Sequence, residues 1–176
     1  NRVHRAMLQE KAAWQADLNT RKAQCKLTEA GIAQFEREIV GFECEVARFK
    51  SGIDLIARSP MTRSAFELMN KTFRDSPKGY RSWRLFQIVF IVSLIPDIAA
   101  CDKDLLLDEE KEKTTLNQVS LLYFPTGGGK TEAFLGVLIF NVFFDRFRGK
   151  DCGVTSILRY PLRLLSVQQV QRLANV

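Results

Sequence analysis

Three consecutive glycines, Gly127, Gly128 and Gly129, run into Lys130 and Thr131, a pattern suited to holding a polyphosphate. Glycines let backbone N–H groups close around an anion without side-chain clashes. A helix that begins near Thr131 adds the positive end of its dipole. The Lys130 ammonium can reach the outer phosphates of a nucleoside triphosphate such as ATP, and the Thr131 hydroxyl can ligate the accompanying Mg²⁺. Lys130 and Thr131 are therefore the candidate catalytic residues, with Thr131 the metal ligand. Thr126, Gly127, Gly128, Gly129 and Glu132 complete the candidate nucleotide site. A glycine-rich hairpin turn is the plain alternative.

A cradle of this kind needs rigid elements on both sides. Upstream, Leu121–Phe124 is an apolar, β-rich run, and downstream Glu132–Phe147 is a proline-free run that reads as a helix. A second β-rich run follows at Val154–Leu158 and leads into another helix-like stretch. The order strand, loop, helix, strand is a βαβ unit, so the expected fold class is α/β, with parallel strands and a right-handed crossover.

The N-terminal part has a different character. Ile32, Phe35, Ile39, Phe42, Val46, Phe49, Ile53 and Ile56 recur at alternating three- and four-residue spacing with charges between them, an a/d seam. Residues 1–58 thus form a long helical, coiled-coil-like extension. Its seam packs either on another helix of the same protein or on a partner in a true coiled coil. Gly31, Gly41 and Gly52 weaken it as an isolated rod and favour internal packing. Ser59-Pro60 is an N-cap followed by proline at the first helical position. Residues 59–117 hold two further helices, one to about Arg74 and one over 83–95, and then a charged stretch from Asp102 to Lys113 read as a solvated loop. The segment 118–176 holds the glycine loop and both β-rich runs.

Composition sets outer bounds. The chain has 176 residues, 46% of them hydrophobic, enough for one domain with a real core. It opens at Asn1 and closes at Val176 within a helix-like run, so it is expected to be a segment of a larger protein. The net charge of +6 is compatible with nucleic acid without requiring it. The four cysteines stand apart, with no C-x-x-C pair and a single histidine, His4, so a structural zinc site is not expected. Lone thiols fit a reducing cytoplasm and read as small buried apolar residues. Leu85–Ala100 is the most apolar stretch, but it is short and interrupted by Ser93, Pro96 and Asp97. It reads as a buried helix, and no membrane association is expected.

After the second β-rich run, Pro161, Arg163, Leu165 and Gln168 match, with the same spacing, the P-T-R-E-L-A-x-Q motif of superfamily 2 helicases; Leu162, Leu164 and Ser166 depart from it. In that family the segment holds the backbone of one nucleic-acid strand, which implies a DNA contact at Pro161, Arg163 and Gln168. Arg84-Leu85-Phe86-Gln87 resembles the family's R-P-Y-Q element, in which the Gln pairs with the adenine edge, so Arg84 and Gln87 join the implied nucleotide site. Phe124 stands where the general phosphate-loop pattern has Gly or Ala, a departure that helicase-type loops accept. The resemblance makes the expected sheet the first βαβ unit of a P-loop, RecA-like parallel sheet, with residues 118–176 the start of a motor domain.

A narrower resemblance extends over residues 59–176. Trp83-Arg84-x-Phe86-Gln87, Phe124-Pro-Thr-Gly-Gly-Gly-Lys-Thr-Glu-Ala133 and Arg159-Tyr160-x-Leu162-Arg163-Leu164-Leu165 together resemble the large helicase subunits of DISARM-type bacterial phage-defence systems. That implies an ATP-dependent DNA helicase or translocase working with a partner protein subunit of a defence complex. The chain lacks the Asp-Glu-x-[His/Asp] motif and the arginine finger that hydrolysis needs, so this segment is not expected to turn over ATP efficiently by itself. Two other classes stay open: a P-loop NTPase with no nucleic-acid role, and a nucleotide-gated assembly subunit acting through its coiled coil.

Overall fold

The computed structural model of the chain describes residues 2–76, 82–102, 105, 119–123, 125, 128–159, 167, 168, 170, 171 and 174. Five helices organise these residues: α1 (Arg2–Ala23), α2 (Glu29–Arg58), α3 (Pro60–Asp75), α4 (Leu85–Ala99) and α5 (Lys130–Phe147).

α1 and α2 form an antiparallel hairpin. The turn between them takes Cys25 to a φ of 48°. The Thr28 hydroxyl then caps α2 by accepting a hydrogen bond from the Gly31 N–H at 3.2 Å. Lys11 pairs with Glu43 and Lys22 with Glu36 across the hairpin, and the Trp14 ring stacks on Phe42 at a centroid distance of 5.0 Å. These ion pairs are exposed and add little stability. The heptad seam of α2 is spent inside the chain: Val46 and Phe49 meet Met7 of α1 and Val92 of α4, while Ile56 packs against the main core, which Leu55 beside it enters. Ser59 closes α2 and opens α3, its hydroxyl accepting from the Thr62 N–H at 3.1 Å with Pro60 at the first helical position, as the Ser-Pro signal predicts.

The main core joins α2, α3, α4 and α5 through Leu55, Met69, Phe73, Ile91, Ile95, Leu135, Phe140 and Phe144. α4 is mostly apolar because it is covered on several sides, and its neighbours approach it closely. A Cβ on Gly52 would lie 2.0 Å from the Val92 carbonyl oxygen, and one on Gly136 of α5 would lie 2.5 Å from Ile91 Cδ1. Four residues beyond Val92, Pro96 has no N–H to offer that carbonyl. α2 therefore crosses α4 at the point where the helix ladder of α4 is interrupted.

The expected α/β architecture is not what the chain adopts: among the described residues there are five helices and no β-strand. Residues 121–123 of the first β-rich run, with 119 and 120 before them, and residues 154–158, the second run, form no regular element and join no ladder, and Val119, Leu121, Tyr123 and Ile157 are largely exposed. Alternating or continuous apolar side chains suit a strand, but a strand exists only when its N–H and C=O groups meet those of a neighbour. Here helices hold the two runs through side chains instead. The Arg48 guanidinium donates to Ser120 Oγ at 3.1 Å, and Asn141 Nδ2 donates to the Thr155 carbonyl at 3.1 Å.

The cysteines are a second correction. All four are exposed, at the α1–α2 turn (Cys25), on the outer side of α2 (Cys44), after α4 (Cys101) and after α5 (Cys152). Turns and the solvent side of a helix offer no apolar enclosure, whatever the hydrophobicity of the thiol. No helix among the described residues is long and apolar enough to cross a membrane. Most of the charged stretch after Asp102 lies outside the described residues.

Two glycines of α2 give opposite expectations. Gly41 is exposed and a Cβ there would meet nothing within 4 Å, so Gly41→Ala should raise stability by about 0.5–1 kcal/mol. Gly52→Ala must push two helix backbones apart and should lower it by about 1–3 kcal/mol or more. Urea unfolding of the two variants beside wild type measures both, and equal effects would show that α2 does not cross α4 at Gly52.

Candidate functional site

α5 begins where the glycine run ends. Gly129 is its N-cap, with φ 89° and ψ 30° in the left-handed region that favours glycine. Just before it, the Gly128 N–H donates to the Pro125 carbonyl at 3.2 Å, closing a turn. Gly128, Gly129, Lys130, Thr131 and Glu132 are all half-buried, and Glu132 sits in the first turn of α5. Thr126 and Gly127 lie outside the described residues.

The N-terminus of α4 meets this loop. Arg84 Nη1 donates to the Gly128 carbonyl at 2.6 Å, and Gln87 Nε2 donates to the Gly129 carbonyl at 2.8 Å. Gln87 Oε1 meanwhile accepts from the backbone N–H of Arg84 at 2.8 Å, which ties down the first turn of α4. Arg84, Gln87 and the glycine loop, far apart in sequence, are thus brought into one cluster. A Cβ on Gly129 would fall 2.8 Å from Gln87 Nε2, so the cluster closes only around a residue without one.

A second set of contacts holds residues 82–84 in place. Trp83 Nε1 donates to Asn70 Oδ1 of α3 at 2.8 Å, and the Trp83 ring meets Phe73 edge-on with centroids 4.5 Å apart. The same indole lies against Gly136 on the second turn of α5. Trp83 therefore references the start of α4 to both α3 and α5.

The peptide geometry says what the loop can do. In a trans peptide the N–H points opposite to the C=O of the preceding residue. With the Gly128 and Gly129 carbonyls drawn toward Arg84 and Gln87, the amides of Gly129 and Lys130 face away from α4. Those amides, the open end of α5 and the Lys130 ammonium suit a phosphate chain. Thr131 supplies a hydroxyl beside them. The residues present fit ATP phosphates.

Of the implied DNA-contact residues, Pro161 and Arg163 lie outside the described residues, while Gln168 is helical and exposed. On another flank of α4, Phe86, Phe90 and Ser93 line an open cavity of about 400 Å³ with Arg48 and Leu121. Ser93 Oγ there is buried with no hydrogen-bond partner among the described residues.

At the far end of α5, sequence reasoning missed a polar anchor. Asp145 is buried and accepts from Arg148 Nε at 2.7 Å, Lys150 Nζ at 2.8 Å and Thr155 Oγ1 at 2.7 Å. Lys150 also donates to the Val154 carbonyl at 2.8 Å. Burial acts to raise the Asp145 pKa, but the hydrogen bonds from Lys150, Thr155 and Arg148, with the Arg148 charge, reverse it and leave the carboxyl below its ordinary value. The available signal was a lone aspartate on an apolar helix with Arg three residues on and Lys five residues on.

The chain is similar to the DISARM protein DrmA of Bacillus paralicheniformis, 34% identical over 169 residues that cover 80% of this chain and 14% of that protein. The chain thus spans about a seventh of the length of that relative. No protein-family model matches the chain, and no solved structure matches it.

Asp145→Asn should destabilise the protein by about 1–3 kcal/mol at neutral pH, because half-exposed Lys150 and Arg148 lose the buried carboxylate that collects them. The folded-state pKa is depressed, so the carboxylate's contribution is present above the unfolded carboxyl value, about 3.9, and is lost as pH falls through the folded value. The gap between wild type and variant should therefore narrow below about pH 4. Urea titrations at pH 7 and at pH 3.5 check this, and a gap that widened on acidification would contradict the assignment.

Proposed function

We propose that this chain is the ATP-binding segment of a DNA helicase or translocase that acts in bacterial phage defence. One observation carries the nucleotide part: the loop at Gly128-Gly129-Lys130-Thr131 is tied back by the carbonyls of Gly128 and Gly129, so the amides of Gly129 and Lys130 are presented on the opposite side at the start of α5. Similarity to a DISARM protein supports the defence context. The match of Pro161, Arg163, Leu165 and Gln168 to the helicase motif supports the DNA part.

The roles follow from the chemistry of each group. The amides of Gly129, Lys130 and Thr131 bind the phosphate chain and fix its path, with Gly127 and Gly128 before them, the Gly128 N–H closing the turn. Thr126 and Glu132 flank this cradle. Lys130 neutralises charge on the outer phosphates, and the Thr131 hydroxyl is the chain's own ligand for Mg²⁺. ATP, when bound, supplies the phosphoanhydride whose cleavage drives movement along DNA. Arg163 holds a DNA phosphate, with Pro161 and Gln168 of the same motif as its companions. Phosphate contacts position a protein on DNA without reading its sequence. The groups that would activate water belong to other parts of the motor. A partner protein of a defence complex completes the proposed assembly.

Lys130→Ala in the complete protein should abolish DNA-stimulated ATP hydrolysis while leaving the melting temperature near wild type, since Lys130 is half-buried at a helix start and outside the core. Unchanged turnover would remove the nucleotide assignment. Arg163→Ala should weaken binding to two unrelated DNA oligomers by the same factor and make the salt slope of log K shallower by about one phosphate's worth, somewhat under 1. Salt titrations by fluorescence anisotropy read both, and weakening confined to one sequence would assign Arg163 another task.

A further inference from the structure

We infer that Gln87, with Arg84, is a positioning residue that clamps the glycine loop from behind, and that its amide does not read the nucleobase. This rests on the nucleotide reading above and concerns how the same site is held and what it discriminates.

The inference starts from the partners of Gln87. The Arg84 N–H is a donor, so the side-chain oxygen of Gln87 must face it; the Gly129 carbonyl is an acceptor, so the side-chain nitrogen must face that. The orientation of the amide is fixed by chemistry at both ends. Gln87 is also 6% exposed, so almost none of it faces solvent, from which a base would arrive. Pairing with an adenine edge needs the oxygen and the nitrogen together. Gln87 would have to release the first turn of α4 and the Gly129 carbonyl to provide them, giving up two part-buried hydrogen bonds.

The same two bonds have a direct use where they stand. Gly129 has backbone freedom that most residues lack, and that freedom is also disorder unless something removes it. Arg84 and Gln87 pin two successive carbonyls, which fixes two successive peptide planes and so the directions of the Gly129 and Lys130 amides. Both side chains spring from the first turn of α4, held in turn by Trp83 on Asn70, Phe73 and α5. The clamp therefore passes the position of the α3–α4–α5 core to the phosphate-facing amides. Its consequence is selectivity for the phosphate chain with no preference for the base from this residue.

The test uses the complete protein with ATP, GTP and inorganic tripolyphosphate, each with Mg²⁺. Gln87→Met removes both hydrogen bonds without adding charge. It should weaken all three ligands by the same factor, about tenfold, and leave the ATP-to-GTP affinity ratio unchanged. Loss confined to ATP would overturn the inference in favour of base reading, and so would unaltered affinity for all three. Should Gln87→Met fail to fold, Arg84→Ala carries the test, because Arg84 is exposed and its removal opens no core cavity. In nucleotide-free protein, the amides of residues 128–132 should exchange several-fold faster in either variant than in wild type; unchanged exchange would overturn the clamp. If wild type binds none of the three ligands while loop exchange still responds, the clamp stands and the nucleotide reading falls.

Discussion

The close passage of α4 between α2 and α5 is the constraint on which the rest of this chain depends. Pro96 withholds a backbone donor from the Val92 carbonyl, and Gly52 lets the backbone of α2 come up to that carbonyl. On another side, Gly136 lets α5 approach Ile91. Missing Cβ atoms remove the usual spacing between helices, and the resulting contact buries Ile91, Val92 and Ile95 almost completely. Once α4 is fixed against α5 in this way, its first turn has one place to go, beside the turn that opens α5. The polar cluster of Arg84, Gln87, Gly128 and Gly129 is a consequence of apolar packing two turns away.

α5 links the two polar features of the structure, and its ends carry opposite chemistry. Its N-terminus offers first-turn amides, Lys130 and a dipole suited to an anion. Near its C-terminus stand Arg146, Arg148 and Lys150, which suit the negative end of the same dipole, and the buried Asp145 collects two of them. Through Asp145 and Asn141 the helix also holds residues 155 and 156, the part of the chain that precedes Arg163 in sequence. α5 therefore joins the glycine loop at one end to residues 155 and 156 at the other.

The heptad seam of α2 illustrates how one pattern serves two neighbours. Its upper part meets α1 in a hairpin, with Trp14 on Phe42 and Met7 near Phe49. Its lower part packs against the main core with Ile56. A seam of aromatic and branched residues seeks cover from water, and the nearest cover is within the same chain, because intramolecular partners are present at high effective concentration.

The sequence by itself determined the local features. Ser59-Pro60 as a cap, the amphipathic seam of α2, the mostly apolar α4 and the helix that follows the glycine loop depend on neighbours a few residues away, and periodicity and capping chemistry express such neighbours directly. Tertiary structure alone decided the rest. Leu121–Tyr123 and Val154–Leu158 have strand-like side chains, yet the described residues give them helix side chains for partners and no ladder, and a ladder is a long-range property that no window of sequence contains. The cysteines look apolar by type but sit in turns and on an outer helix side. Gln87 carries a motif-like context, but which atoms its amide meets depends on the glycine-spaced crossing of α4 and α5, where residues more than forty positions apart come within hydrogen-bond distance. A helix is written in contacts three and four residues away; a clamp and a sheet are written in contacts that exist only after the chain has closed on itself.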